Sequence, residues 1–174
     1  MKKLSLLIVV LVATCTVALA QPRAIGGRLA YGVGPSYQHS LGEKNMLQAD
    51  LDILGYWWGI QGTVTYNWIF PITTFNSGNL NWYAGVGAGG GYAWSGWTRG
   101  WYNWSKWNNN GWGGYGFVGA AGMIGIECNF NFGLQLSVDW RPLFGPRFYR
   151  GGGVGYYLPG LYAGAPGVGI RYKF

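Results

Sequence analysis

The sequence has little charge, cysteine or histidine, and beyond residue 20 it has no long apolar run. Only 10% of its 174 residues are charged, against about 25% in an ordinary soluble domain. Beyond residue 20 the single cysteine is Cys128, so no disulfide can form within that part. No stretch after Ala20 approaches twenty consecutive apolar residues, which excludes a transmembrane helix. The single histidine, His39, limits acid–base catalysis.

The first twenty residues have the layout of a secretory signal peptide. Two lysines at positions 2 and 3 precede an apolar run that ends at the small residues Ala18 and Ala20. We therefore predict a signal peptide over residues 1–20 and one domain over residues 21–174. A lipoprotein cysteine at Cys15 is the alternative, which the residues before it disfavour.

Glycine and aromatic residues are abundant, with 33 Gly, 11 Trp and 13 Tyr in the chain. For an exported chain without a spanning helix, a closed β-barrel is the other structure that satisfies every backbone group in lipid. Setting aside the two leader lysines leaves ten basic and five acidic residues. The basic residues are scattered singly and form no nucleic-acid motif, so a nucleic-acid partner is not expected.

The strongest signal is a period of two, which assigns alternate residues of a strand to opposite faces. It is clearest at the C-terminus, where apolar and aromatic residues share one face and Arg171 and Lys173 lie on the other. The same split recurs upstream, as in Leu136 and Val138 against Gln135 and Asp139. One face suits lipid and the other does not.

Eight charged residues fall on the polar faces of the predicted strands. They are Arg28, Asp50, Asp52, Glu127, Asp139, Arg141, Arg171 and Lys173. Because a charge in the middle of a lipid-facing band costs about 2–4 kcal/mol for Arg or Lys, we expect these residues to face the lumen. They either line a small pore or pair and fill the interior, and an eight-stranded barrel favours filling because its interior is just wide enough for side chains.

The alternation and its breaks predict an all-β fold, an eight-stranded antiparallel up-and-down transmembrane β-barrel. The predicted strands lie near residues 23–33, 35–42, 46–55, 58–70, 80–95, 114–128, 133–143 and 160–174. With the N-terminus on the periplasmic side, inner turns fall at 42–45, 71–79 and 129–131. Outer connections fall at Gly34-Pro35, at Tyr56-Trp57, and in long loops over 96–113 and 144–159. The second strand is shorter than the 9–11 residues that a span needs.

The C-terminal segment resembles the terminal-strand signal of outer-membrane barrels, with matching residues at Gly169, Ile170, Tyr172 and Phe174. With the signal peptide and the eight strands, the whole mature chain resembles the small OmpX/OmpA-type barrel proteins of Gram-negative outer membranes. The resemblance implies location in the cell outer membrane and insertion by the barrel assembly machinery. It implies little about activity.

The segment from Trp94 to Trp112 holds six tryptophans in nineteen residues. Candidate ligand contacts there are Trp97, Arg99, Trp101, Trp104, Lys106 and Trp107, which suit stacking on sugars or contact with lipopolysaccharide, a glycan or a protein. The alternative, which we favour, is that these rings form the aromatic girdle at the membrane interface and cap the barrel mouth.

No catalytic, metal or cofactor site is expected. Ser36, Ser40 and His39 lie close in sequence, as a lipid-A-modifying enzyme would need, but alternation turns His39 away from both serines. The favoured function is a structural or surface-interaction protein of the outer membrane. The alternatives are a narrow solute channel and a secreted soluble barrel of lipocalin type, which would carry its apolar side chains inward.

Overall fold

A computed structural model describes residues 23–30, 32–54, 59–94, 114–149, 152–157 and 166–174, without the side chains of Arg23 and Tyr157. In these ranges no helix is long and apolar enough to span a membrane. The predicted signal peptide, Tyr56-Trp57, the loop over 96–113 and the start of the predicted eighth strand lie outside the described residues.

Ten strands form one sheet that closes on itself. They are β1 (Arg23–Leu29), β2 (Gly32–Ser40), β3 (Asn45–Leu54), β4 (Gly59–Phe75), β5 (Gly78–Ala93), β6 (Tyr115–Phe130), β7 (Leu134–Trp140), β8 (Leu143–Tyr149), β9 (Val154–Tyr157) and β10 (Pro166–Lys173). Every pairing is antiparallel, and β1 with β10 and β5 with β6 complete the circuit.

The ten strands occupy eight positions around the barrel. β6 pairs with β7 over one half of its length and with β8 over the other, so β7 and β8 together make the seventh position. β10 pairs with β7 and β9 pairs with β8, so both lie in the eighth. The structure therefore confirms the prediction of a closed, eight-stranded antiparallel barrel.

The two ends of the barrel differ. The connections between β2 and β3, β4 and β5, and β6 and β7 are short and lie at the same end as Phe174; we call this the turn end. The opposite end, where β5 leads to β6 through residues 94–114, is called the loop end. At the turn end the β4–β5 and β6–β7 turns are joined, because the Asn131 amide N–H donates to the Ser77 carbonyl at 2.8 Å.

Gly34 and Pro35 are not an outer connection, and that prediction is wrong. β1 ends at Leu29 and the connection is residues 30–31, so Gly34 and Pro35 lie inside β2. The β2–β3 pairing is interrupted at these two residues, as expected where proline supplies no N–H. β2 consequently has nine residues, which removes the predicted shortage of length.

Two inner turns lie further along the chain than predicted. β4 continues through Pro71 to Phe75, with a bulge between Pro71 and Thr73, and the turn is Asn76-Ser77. β6 continues to Phe130, and the next turn ends at Gly133, whose φ of 92° favours glycine. The bulge lets proline sit inside the strand, so Pro71 was wrongly interpreted as a strand end.

The predicted outer loop over 144–159 is largely strand. β8 continues the seventh position past Pro142, and β9 pairs back on β8 with Arg147 opposite Gly155. Pro142 interrupts the hydrogen-bond ladder between β7 and β8. The chain stays paired with β6 at this point, because the Gly122 amide donates to the Pro142 carbonyl at 3.0 Å. Glycine and proline within this segment therefore mark irregular strand instead of loop.

Candidate functional site

The barrel interior holds a concentrated polar network, because alternation directs these side chains inward from every part of the wall. Arg28, Ser36, Gln38, Gln48, Asp50, Asp52, Gln61, Thr63, Thr65, Asn67, Glu127, Asn129, Gln135, Ser137, Asp139, Arg141 and Arg171 are all buried. Lys173 is half-buried on the same face at the turn end. The structure therefore places all eight charged residues singled out in the sequence on the inner side of the wall.

Arg28 and Asp139 form a buried ion pair across β1 and β7. The Arg28 guanidinium reaches both carboxylate oxygens, with Nε 3.0 Å from Oδ1 and 3.3 Å from Oδ2. Tyr83, which is fully buried, donates its hydroxyl to Asp139 Oδ2 at 3.3 Å. Gly167 on β10 leaves the space that the guanidinium occupies. A charge-assisted fork of this kind holds β1 and β7, which flank β10, in one register.

Arg141 binds two carboxylates at once. Its Nη1 lies 2.5 Å from Asp50, and its Nη2 pairs with Asp52. The Gln48 amide also donates to Asp50 at 2.9 Å. Since β3 carries both acids and Arg141 lies between β7 and β8, this contact crosses the interior from one side of the barrel to the other.

Arg171 and Glu127 are buried without a direct charged partner among the described ion pairs. Arg171 donates to Ser36 Oγ and to Ser137 Oγ, each at 2.8 Å. Glu127 instead accepts from amides, which are Asn81 at 3.0 Å, Asn129 at 2.9 Å and Gln135 at 3.1 Å. Gln135 also accepts from Arg171 at 3.5 Å, so one amide links the two charges.

Two apolar clusters pack against this polar layer. Leu54, Ala93, Phe117, Ala121 and Leu143 form a buried cluster nearer the loop end. Met46, Tyr83 and Met123 form a second cluster nearer the turn end. The eight charged residues singled out in the sequence balance, since Arg28, Arg141, Arg171 and Lys173 oppose Asp50, Asp52, Glu127 and Asp139, and Arg147 adds one positive charge nearer the loop end. In the described part of the chain the lumen is thus filled by side chains, as expected for this barrel size.

Ser36 and His39 lie on opposite sides of the wall. Ser36 is buried in the interior, whereas the ring of His39 lies on the outer side, where its Nδ1 is 3.3 Å from the Tyr37 hydroxyl. Within the described ranges no group of three or more metal-ligating side chains is present. Cys128 is a half-buried free thiol on the outer face of β6.

The residues of the predicted assembly signal are described in the structure, whereas the predicted ligand contacts are not. Ile170, Tyr172 and Phe174 point outward and are exposed, and Gly169 faces inward. The six candidate ligand contacts of the tryptophan-rich segment, from Trp97 to Trp107, lie outside the described residues.

One charged residue of the inner face was missed by sequence reasoning. Arg147 on β8 faces inward at the loop end, with its guanidinium carbon 5.7 Å from the centre of the Tyr115 ring and 5.1 Å from that of Tyr149. The available signal was the alternation of Leu143, Gly145, Arg147 and Tyr149, which the intervening proline and glycine obscured.

Comparison of the chain with protein-family models, with curated proteins and with solved structures gives no significant match to any of them.

Proposed function

We propose that this chain is an integral outer-membrane protein of the small OmpX/OmpA type. In this proposal the barrel wall is a membrane anchor, and the connections at the loop end form a surface that interacts with a glycan or a protein. The observation that carries the proposal is the two-sided wall, in which large apolar side chains are exposed outward while polar and charged ones are buried inward.

The outer face has the dimensions of a membrane band. Along β5, Trp82 and Tyr92 both point outward and are separated by ten residues. At a rise of about 3.3 Å per residue and a tilt of about 45°, that separation is roughly 23 Å along the barrel axis. The apolar band of outer-membrane barrels is about 25 Å tall and is flanked by aromatic girdles.

Aromatic residues lie at both edges of this band. Phe70 stacks on Trp82 with ring centres 4.3 Å apart near the turn end. Phe144 and Tyr156 stack with ring centres 6.1 Å apart near the loop end. No charged side chain of the described residues faces outward between these levels. This distribution supports a lipid environment and disfavours the lipocalin-type alternative, whose apolar side chains would point inward.

The filled interior disfavours the narrow-channel alternative. Leu54 on β3, Phe117 on β6 and Leu143 on β8 belong to one buried apolar cluster, and the Arg141 contacts to Asp50 and Asp52 cross the lumen at another level. A conducting path would require these side chains to move apart. The working surface is therefore assigned to the connections at the loop end and not to the lumen.

The proposed partners follow from location. Outer-membrane lipid and lipopolysaccharide would surround the wall, and the barrel assembly machinery would recognise the last strand, where Ile170, Tyr172 and Phe174 project outward in alternate positions. With its termini on the periplasmic side, the loop end would face the outside of the cell.

Expression of the full chain in a Gram-negative host tests the proposal. We expect recovery in the outer-membrane fraction after carbonate extraction and faster gel migration of the unheated protein than of the boiled protein. Recovery as a detergent-free soluble monomer would contradict the proposal. Deletion of residues 96–113 should preserve both properties and abolish binding to glycan or protein; loss of folding would instead make that segment structural.

A further inference from the structure

We propose that an apolar groove on the outer wall binds one acyl chain of a phospholipid from the periplasmic leaflet. The inference deepens the proposed function and rests on it, because a groove in the wall is filled by hydrocarbon only if that wall faces lipid. It assigns one defined lipid position to the wall, beyond the general lipid contact proposed above.

The groove crosses the wall from β1 to β5 and has a volume of about 340 Å³. Its outward-facing lining is Ile25, Pro35, Tyr37, Ala49, Leu51, Gly62, Val64 and Ala88. Ala49, Gly62 and Ala88 have the smallest side chains of this set and form the floor. Leu51 and Val64 stand beside them. At Gly62 an added Cβ would meet no atom within 4 Å, so the space above this residue is open.

The backbone of the wall is irregular where the groove lies. The β2–β3 pairing is interrupted between Val33 and Ser36, as expected where Pro35 supplies no N–H. Gly34 lies so close to β3 that a Cβ there would overlap the Leu51 carbonyl. The floor residues have almost no side chain to rotate. The groove is therefore a fixed feature of the backbone, and no change of rotamer on its floor can fill it.

The groove lies near the middle of the proposed lipid band. Ala88 lies six residues from Trp82 and four from Tyr92 along β5, which is roughly 14 Å and 9 Å along the barrel axis at the usual strand rise and tilt. Ala88 pairs with Val64, and Val64 pairs with Ala49, so the groove continues from β5 to β3. Because the bilayer core contains no water, hydrocarbon fills a gap at this depth.

The size of the groove favours one acyl chain over a second copy of this protein. A stable protein interface buries about 800 Å² on each partner, whereas eight residues make the outward lining of the groove. From β1 to β5 it crosses four strand spacings, which is roughly 19 Å at about 4.8 Å each. One leaflet supplies about half of a hydrocarbon core that is about 30 Å thick. The groove thus has about the length of one chain that lies obliquely across the tilted strands.

The chemistry of the lining also fits hydrocarbon. Ser36, Asp50 and Thr63 border the groove, but their side chains point inward and are buried. The outward lining therefore carries no charge. Its polar tip is the Tyr37 hydroxyl, which lies 3.3 Å from His39 Nδ1. A polar or charged ligand would find nothing else in the lining to bind.

The polar tip decides which leaflet supplies the chain. His39 lies two residues nearer the turn end than Tyr37, so this pair lies on the turn-end side of the groove. Amphipathic rings of this kind lie where hydrocarbon meets headgroups. In the proposed orientation the turn end faces the periplasm, and the lipid of that leaflet is phospholipid. Its headgroup would lie beside His39 and its chain would run along the floor toward Ala88.

The test uses the full chain purified in a nonionic detergent, with palmitoyl-oleoyl-phosphatidylethanolamine as the probe. Native mass spectrometry counts the phospholipids that stay bound as the ratio of lipid to protein is raised. We expect retention to saturate at one phospholipid per barrel. Retention that rises without saturation, or no retention by a folded barrel, would overturn the proposal.

Variants assign the retained lipid to the groove. Gly62→Phe puts a ring into the open space above the floor and should lower the retained fraction by roughly tenfold or more, because the chain no longer fits. Ala88→Phe should have the same effect and serves if Gly62→Phe does not fold. Val138→Phe is the matched control, because Val138 is exposed on the outer face of β7 outside the groove, and it should retain lipid like the wild type. Equal retention by the wild type and a groove variant with heat-modifiable migration would overturn the proposal.

Two further arms separate the possible occupants and the two proposals. Excess lipid A should not displace the phospholipid, and displacement would overturn the assignment to the periplasmic leaflet. A species with two protein chains that disappears in Gly62→Phe would mean that a second copy occupies the groove, which would also overturn the proposal. Membrane insertion is measured separately by carbonate extraction. An inserted barrel that retains no phospholipid therefore rejects this inference alone, whereas a soluble monomer rejects the proposed function.

Discussion

A single charge placed on the outer wall tests the membrane location quantitatively. Val86 on β5 points outward and is 59% exposed. It lies four residues from Trp82 and six from Tyr92, which is about 9 Å from one aromatic level and about 14 Å from the other at the usual strand rise and tilt. The substitution Val86→Arg therefore puts a guanidinium close to the middle of the proposed lipid band.

The expected cost depends on what surrounds the wall. In lipid, arginine at the midplane of a barrel destabilises by about 2–4 kcal/mol. In water, the same substitution at an exposed position normally changes stability by about 0.5 kcal/mol or less. The two environments predict results that differ several-fold, so one variant distinguishes them.

The assay is reversible urea unfolding in phosphatidylcholine vesicles, followed by tryptophan fluorescence. Thr74→Arg is the matched control, because Thr74 is exposed in the part of β4 that extends past Trp82 toward the turn end. Near the interface arginine costs only about 0–1 kcal/mol. If Val86→Arg were no more destabilising than Thr74→Arg, the two-sided wall would not be facing lipid and the reasoning would fail.

Three further predictions concern the interior and the packing of the wall. Arg28→Met should destabilise by about 3–5 kcal/mol in urea unfolding because it leaves Asp139 buried and unpaired, and combining it with Asp139→Leu should recover most of that loss; additive losses would refute the pairing. Gly87→Ala should impair folding because its Cβ would overlap the Val64 carbonyl, whereas Gly62→Ala, with nothing within 4 Å, should fold normally; equal yields of heat-modifiable protein would contradict this. The wild type should be electrically silent in planar bilayers, and discrete openings would mean that the packed lumen does conduct.

Much of the barrel was predictable because the alternation of a strand is a local property. Leu136 and Val138 lie outward and Gln135 and Asp139 inward, and these faces require only neighbouring residues in the chain. The inward side of Arg28 and Arg171 was predictable for the same reason, since an exposed charge in a lipid-facing band is costly. The number of positions around the barrel followed from counting these segments.

Strand ends were less predictable where proline and glycine interrupt the pattern. Pro35, Pro71 and Pro142 all lie within the walls or between two aligned strands, although proline usually ends a strand. A closed barrel can accept a missing N–H or a bulge because the pairings on both sides of the interruption hold the chain in place. The β8–β9 hairpin was missed for this reason, and with it the setting of Arg147.

The sequence alone determined that the chain forms strands with one apolar and one polar face, and which residues point inward. That information lies in the alternation of apolar and polar residues, which has a period of two. Only the tertiary structure decided that Arg28 meets Asp139, 111 residues away, that Arg141 joins two acids of β3, and that Glu127 is held by amides. Those partners depend on how the strands are staggered around the closed circuit. A stagger of one residue would leave each strand's pattern locally intact and change every contact across the lumen.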